Sequence, residues 1–278
     1  MTFDIGPFDI AHADVRRAVE NALAEDVGTG DVTTDACISS TLLAEAHFVA
    51  RQEMVLAGVE LLRLLFDDVT LTKSSGERVS AGEAITTVRG SARTLLTRER
   101  VALNFLQRLS GVATLAAQFV AAVDGTGVHI LDTRKTTPGL RVLEKMAAAA
   151  GGCVNHRMGL YDAILIKNNH ITLAGGVRAA TERARAAKMS IEIEVRTRVE
   201  VEEALACGAA RLLLDNMSPE QAALEIGFID HRAETEISGG VTLENVRAYA
   251  EARPDFISSG AITHSAKAVD INCGIYAV

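Results

Sequence analysis

Hydrophobic and polar positions follow two rhythms along this chain. Before Val128, helical and strand patterns mix without a regular beat. Asp9 to Asp26 carries Val15, Val19, Ala22 and Leu23 at helical spacing, and the turn-rich GTGDVTT from Gly28 to Thr34 follows. Leu42 to Arg51 and Val69 to Lys73 read as strands, with a helix over Gly58 to Phe66 between them. Gly76 to Gly90 reads as a turn followed by a strand pair. A long helix is expected from Ala92 to Val123, interrupted near Ser110-Gly111, because glycine punctuates helices.

From Val128 the pattern becomes short apolar strand, loop, amphipathic helix, repeated. The expected strands are Val128–Leu131, Ala163–Ile166, Ile191–Val195, Leu212–Leu214, Thr235–Ile237 and Asp255–Ile257. Helices are expected to start near Leu140, Gly176, Arg198, Pro219, Leu243 and Ser265. This alternation implies right-handed crossovers and a parallel sheet. Six such units in this length fit a closed α/β barrel better than an open doubly wound sheet. No GxGxxG follows any strand, which argues against a dinucleotide fold.

Composition narrows the partners. The 278 residues hold 48% hydrophobic and 23% charged positions, enough to bury a core. Tryptophan is absent and aromatics are 4%, leaving little on which single-stranded nucleic acid could stack. The net charge of -8 argues against a polyanion or a membrane surface as partner. Cys37, Cys153, Cys207 and Cys273 form no paired motif, the first residues do not read as a signal peptide, and no stretch suits a bilayer. A reduced, cytoplasmic protein is the expectation.

The candidate chemistry sits where the strands end. Asp132-Thr133-Arg134-Lys135, Lys167-Asn168-Asn169-His170, Asp215-Asn216, Ser238-Gly239-Gly240 and Ser258-Ser259-Gly260-Ala261 each follow an apolar strand. In α/β barrels the active site lies at that end, and late loops often hold phosphate. Arg134, Lys135, His156, Arg157 and Lys167 cluster basic groups in an acidic chain, which suits a small anionic substrate. Arg134 and Arg157 suggest a carboxylate clamp, given the bidentate fork of arginine.

Other positions leave alternatives open. Lys167 could form a Schiff base, hold an anion, or merely snorkel to the surface. Glu192 and Glu194 share one strand face, and Glu194 with Asp215 suits Mg2+ or sugar hydroxyls. Their plainer reading is pairing with Arg196 or a lysine, although a carboxylate inside a barrel must find some partner. Ser238–Gly240, just before a helix, could bind phosphate or be an ordinary turn, and Ser259–Ala261 would pair with it. His156 alone and His170 read as structural, Arg141 and Lys145 as a solvated helix face, and the remaining histidines have no metal spacing.

Taken in order, DTRKTTPGLR, GGCVNHRMGL, LIKNNH, EIEV, LLDN, EISGGV and SSGAITHS resemble the quinolinate phosphoribosyltransferases, carboxylating nicotinate-nucleotide pyrophosphorylases of type II. EDVGTGDVTT and LLTRERVALNFLQRLSG extend the resemblance over nearly the whole chain. It implies an α/β protein with an N-terminal α/β sandwich over residues 1–110 and an incomplete, six- to seven-stranded α/β barrel over 111–267. The tail, 268–278, would pack back on the first domain. The implied reaction joins quinolinate to phosphoribosyl pyrophosphate with Mg2+, giving nicotinate mononucleotide, pyrophosphate and carbon dioxide for NAD biosynthesis. A homodimer with shared active sites, or a higher oligomer built from it, is also implied.

The resemblance assigns roles residue by residue. Arg134, His156, Arg157 and Lys167 would hold the quinolinate carboxylates, with Thr133 among the substrate contacts and Arg100 reaching in from the partner subunit. Lys135 would meet the pyrophosphate, and Glu194 and Asp215 the ribose hydroxyls and Mg2+. Lys135, Lys167, Glu194 and Asp215 would form the catalytic set. Ser238, Gly239, Gly240, Ser259, Gly260 and Ala261 would take the phosphate. The KNNH turn departs from the KDNH of many members, so Asn168 lacks a charge found there. Three rivals remain: a phosphoribosyltransferase-like paralogue associated with molybdenum transport, a Schiff-base lyase using Lys167, and a non-catalytic phosphosugar-binding barrel.

Overall fold

Residues 8–278 are described by a computed structural model of the chain. In chain order its strands are β1 (Leu43–Ala50), β2 (Met54–Val55), β3 (Asp68–Leu71), β4 (Arg78–Val79), β5 (Ala84–Ser91), β6 (His129–Leu131), β7 (Ile164–Ile166), β8 (Ile191–Val195), β9 (Arg211–Asp215), β10 (Glu234–Ser238), β11 (Phe256–Ser258) and β12 (Ile271–Ala277). Its α-helices are α1 (Ala13–Val27), α2 (Val32–Cys37), α3 (Leu62–Leu65), α4 (Ala92–Ala122), α5 (Arg141–Ala150), α6 (Asn168–Ala174), α7 (Val177–Ala184), α8 (Arg198–Ala206), α9 (Pro219–Ile229), α10 (Val246–Glu251) and α11 (Ala261–His264). Among the described residues, no helix is long and apolar enough to cross a membrane.

Two units divide these elements. One holds residues 8–117, Thr136–Gly152 and Ile262–Val278. Its sheet runs β12-β1-β5-β3, antiparallel throughout. Ala44, Ala46, Phe48 and Ala50 of β1 are buried on one face, the alternation of a half-covered strand. β12 stands where a helix from Ser265 was expected; α11 is only a single turn, and the chain then extends to pair along β1 from Ile271 to Ala277. Part of the GTGDVTT turn is also helical, because Asp31 caps α2 by accepting the Thr34 amide at 2.9 Å.

α4 is one continuous helix of 31 residues, without the expected break at Ser110-Gly111. Gly111 is there for space. A Cβ on it would lie 2.1 Å from the Lys267 carbonyl oxygen, so only glycine lets that backbone approach the helix. α5 is likewise not a solvated face: Val142 to Ala148 are all buried, Lys145 completely so. Glu144 accepts from Arg108 Nη2 at 2.7 Å and from the Thr137 amide at 2.9 Å, tying α5 and its leading loop to α4. Arg108 also donates to the Ala266 and Thr263 carbonyls. These bonds explain why Thr136–Gly152 groups with the N-terminal elements.

The other unit, Gln118–Lys135 and Cys153–Ala261, holds a six-stranded parallel sheet in the order β6-β11-β10-β9-β8-β7. Val154 bridges Leu131 in parallel beside β6, adding a seventh position at that edge. β6 and β7 remain the two ends of the ladder, so the barrel is incomplete rather than closed. All five residues of β8 and the first four of β9 are buried, Glu192, Glu194 and Arg211 among them. Glu192 pairs with Arg211, Arg211 with Glu234, and Leu213 with both Glu194 and Glu236. Period-two alternation then puts Glu192, Glu194, Arg211, Asp215, Glu236 and Ser238 on one face, the inside of the barrel.

Candidate active site

The inside of this barrel is polar from its floor upward. Arg211, 3% exposed, stacks over Phe256 at 4.0 Å, pairs with Glu234 at 2.8 Å and reaches Glu236 at 3.8 Å. Above it, His156 Nε2 lies 3.4 Å from Glu192 and 3.5 Å from Glu236, all three buried. Burial and the Glu236 charge raise the Glu192 pKa above the usual carboxylate range. Glu236 is held ionised, well below its usual range, by the hydrogen bonds and charges around it overcoming its burial.

The position of His156 is fixed by its neighbours. Asp132, completely buried at the end of β6, accepts from Asn155 Nδ2 at 2.6 Å and from the His156 amide at 2.8 Å. The Arg157 amide donates to His156 Nδ1 at 2.7 Å. Burial works against a second ring proton, but the hydrogen bonds and charges of Glu192 and Glu236 outweigh it and lift the His156 pKa to about 9. That proton would have to sit on Nδ1, facing the Arg157 N–H at 2.7 Å. Nδ1 therefore faces a donor, and Nε2 turns its proton toward the two carboxylates.

Arg157 is 5% exposed and donates to the Ala163 carbonyl at 3.0 Å. Its pKa is lowered first by burial and then by the charge of Arg134. Arg134 is half-buried, and its Nε is enclosed without a partner. Thr133 accepts from the Lys135 amide at 3.1 Å, and the Lys135 side chain is exposed. Two guanidiniums that repel one another in a desolvated place are an unfavourable arrangement for the empty protein and a prepared one for an anion.

The carboxylates stand at the neighbouring strand ends. Glu194 accepts from the Asn168 amide at 3.2 Å and lies 3.9 Å from Lys167 Nζ. Lys167 precedes α6, and His170 Nδ1 accepts its amide at 2.9 Å, so His170 is the structural cap expected of it. Asp215 accepts from Asn216 Nδ2 at 2.9 Å. Arg196 joins the two carboxylates, donating to Asp215 from Nε at 2.9 Å and Nη2 at 2.7 Å, and to Glu194 from Nη2 at 3.4 Å.

The last two loops share a hydroxyl-lined wall. Ser258 and Ser238 hydrogen-bond through their hydroxyls at 2.9 Å; Ser259 Oγ donates to Val241 O at 2.8 Å and accepts the Ala261 amide at 3.3 Å. Gly239 (φ 95) and Gly240 (φ 64) take left-handed conformations, and a Cβ on Gly239 would meet Asn216 Oδ1 at 2.4 Å. The helix expected to start near Leu243 starts slightly later. α10 begins at Val246, because Asn245 first closes a turn by accepting the Thr242 amide at 2.8 Å.

The barrel unit thus carries Thr133, Arg134, Lys135, His156, Arg157, Lys167, Glu194, Asp215, Ser238–Gly240 and Ser259–Ala261, while Arg100 is exposed on α4 in the other unit. Glu236 and Arg211 were not among the residues expected at a site, Asp132 was named only as the start of a strand-end loop, and Arg196 only as a plain partner for the glutamates. For Glu236 a signal existed, since it lies two residues before Ser238 and shares its face.

Two groups could be considered for a cation, and the donor chemistry separates them. His156, Glu192 and Glu236 lie close enough to enclose an ion. Their imidazole, however, turns an N–H rather than a lone pair toward the carboxylates, so the group does not fit a metal. Glu194 and Asp215 offer hard oxygen donors, and they already hold a positive guanidinium between them, which fits Mg2+.

Comparison with known proteins agrees with this geometry. The family model described as quinolinate phosphoribosyl transferase, C-terminal domain, matches residues 112–273, and its N-terminal domain counterpart matches residues 31–110. A probable nicotinate-nucleotide pyrophosphorylase [carboxylating] of Bacillus subtilis (strain 168) is 40% identical over 95% of this chain and 94% of its own length. The chloroplastic Arabidopsis thaliana nicotinate-nucleotide pyrophosphorylase [carboxylating] is 41% identical over 94% of this chain and 83% of its own. The solved nicotinate-nucleotide pyrophosphorylase of Francisella tularensis superposes with a TM-score of 0.92 at 36% identity, covering 99% of this chain and 100% of that one. An incomplete parallel barrel with basic and acidic groups at its strand ends, matched over both domains, makes this chain a member of the quinolinate phosphoribosyltransferase family.

Proposed function

We propose that the protein transfers the phosphoribosyl group of phosphoribosyl pyrophosphate to quinolinate with decarboxylation, releasing nicotinate mononucleotide, pyrophosphate and carbon dioxide. The observation that carries this reading is buried Arg157 with half-buried Arg134 near it, whose enclosed Nε has no partner, as a dicarboxylate would require. Arg134, Arg157 and Lys167 hold the quinolinate carboxylates, with Thr133 beside them. His156, buried beside them, joins in holding a carboxylate, and its Nδ1 accepts the Arg157 amide, which fixes Arg157 in place.

Ser238, Gly239, Gly240, Ser259, Gly260 and Ala261 hold the ribose phosphate, and Lys135 the pyrophosphate. Glu194 and Asp215 face the ribose, where positive charge develops at the anomeric carbon as pyrophosphate leaves, and they stabilise it. Mg2+, bound with phosphoribosyl pyrophosphate beside these carboxylates, would neutralise charge on the departing pyrophosphate. Most of the remaining catalysis is orientation of two anions, so no covalent nucleophile is needed. The sheet pairing of β12 with β1 supports a tail, 268–278, that belongs with the N-terminal domain. The four free cysteines suit a reducing cytoplasm.

Incubation with quinolinate, phosphoribosyl pyrophosphate and Mg2+ is expected to yield carbon dioxide and nicotinate mononucleotide in equal amounts. Nicotinate serves as the parallel acceptor and is expected to react far more slowly. Absence of both products from quinolinate would defeat the proposal.

Each active site is completed by Arg100 of a partner copy, in a homodimer or a higher oligomer built from it. The exposure of Arg100 on α4 is compatible with that role. Arg100→Ala and Lys167→Ala chains, each inactive alone, are expected to regain up to about a quarter of the activity when mixed, because some hybrid sites are intact. No recovery after proven subunit exchange would exclude shared sites.

A further inference from the structure

Arg196 occupies a place the proposed reaction needs for something else. It follows β8 directly, and the pairing of Val195 with Leu214 sets it beside the end of β9. Its backbone is anchored by the cap of α8: Glu200 accepts the Arg196 amide at 2.7 Å and the Thr197 amide at 3.2 Å. From that anchor its guanidinium reaches Asp215 at 2.7 Å and Glu194 at 3.4 Å. The two carboxylates are 13% and 8% exposed, whereas Arg196 is 44% exposed, with solvent on its outer side. Lys167 Nζ, at 3.9 Å from Glu194 and 52% exposed, is the second cation facing the pair.

We infer that Arg196 is a resident counter-ion of the Glu194–Asp215 pair, which keeps free divalent cations out until phosphoribosyl pyrophosphate brings the metal and displaces the guanidinium. This rests on the reading of Glu194 and Asp215 given above. Without a cation, two carboxylates at adjacent strand ends repel one another, so a tethered guanidinium stabilises the empty site. The same tether makes it a competitor for any metal ion. Because Arg196 is nearly half exposed, the competition is modest and reversible. Arrival of a metal already neutralised by pyrophosphate gives Arg196 a new anionic partner at the mouth, so its displacement does not strand a charge.

The test measures Mn2+ alone binding to the whole protein by electron paramagnetic resonance, without substrates. Arg196→Gln keeps a side chain able to donate to Asp215 but removes the charge; it is expected to bind Mn2+ about tenfold tighter than the unaltered chain. Arg196→Lys keeps the charge and is expected to stay within about threefold of the unaltered chain. Adding Glu194→Gln to Arg196→Gln is expected to abolish the gain. The inference is overturned if Arg196→Gln leaves Mn2+ affinity unchanged, if Arg196→Lys gains as much as Arg196→Gln, or if the gain survives Glu194→Gln. Turnover of the unaltered chain is measured separately. An active enzyme without the Mn2+ gain refutes the counter-ion alone, whereas an inactive one refutes phosphoribosyl transfer and leaves the Mn2+ result readable.

Discussion

Arg157→Ala is expected to lower kcat/KM for quinolinate about a thousandfold while changing the affinity for phosphoribosyl pyrophosphate less than about threefold. A charge-assisted hydrogen bond contributes roughly 1.5–3 kcal/mol, and a buried arginine fork makes two of them to one carboxylate. Together they correspond to about three orders of magnitude in rate. The stability of the empty protein should move far less than burial of Arg157 alone suggests. The lost Ala163 bond is offset by release from the burial, and then the Arg134 charge, that lower its pKa. Arg157→Lys should recover only part of the loss, since a point charge replaces a planar fork. Steady-state kinetics with each substrate varied, together with a thermal melt with and without quinolinate, checks all of this. An unchanged kcat/KM for quinolinate in Arg157→Ala would remove this residue from the site.

The largest expected stability effect lies in the other unit. Glu144→Ala is expected to destabilise the protein by about 3–5 kcal/mol in urea unfolding, since it strands a partly buried guanidinium and several donors. Glu144 is completely buried and accepts from Arg108 Nε at 3.0 Å, Arg108 Nη2 at 2.7 Å, the Thr137 amide at 2.9 Å and the Thr137 hydroxyl at 2.7 Å. Glu144→Gln keeps acceptor capacity and should lose less. Replacing the pair together, Arg108→Met with Glu144→Leu, should recover much of the loss, because breaking a buried pair is worse than removing it. A loss below about 1 kcal/mol in Glu144→Ala would mean water replaces the missing carboxylate. Thr137 is two residues past Lys135, so a loosened loop should also raise KM for phosphoribosyl pyrophosphate.

The parallel barrel was legible because its strands are read by composition. IEIEV and RLLLD are buried along nearly their whole length, and such runs declare themselves without knowledge of their partners. The polar residues at their ends were legible for the same reason, since the end of an apolar run locates the mouth. β12 was missed as a strand because INCGIYA draws its order from pairing with β1, which is remote in sequence. Gly111 was misread as a helix break because local propensity knows nothing of the Lys267 carbonyl that passes beside it. Lys145 was taken as solvated because lysine usually is, whereas α5 is covered on nearly every side.

By itself the sequence determined the parallel barrel, the set of polar residues at its strand ends and the likeness to one enzyme family, because these depend on residue type and order along the chain. Only the tertiary structure decided which charges meet. It brought Glu236 beside His156, set Arg157 against Arg134, and placed Arg196 between Glu194 and Asp215. The physical reason is range. Hydrophobic periodicity is a local property of consecutive residues, whereas electrostatic partnership falls off within a few ångströms and links positions that only folding brings together.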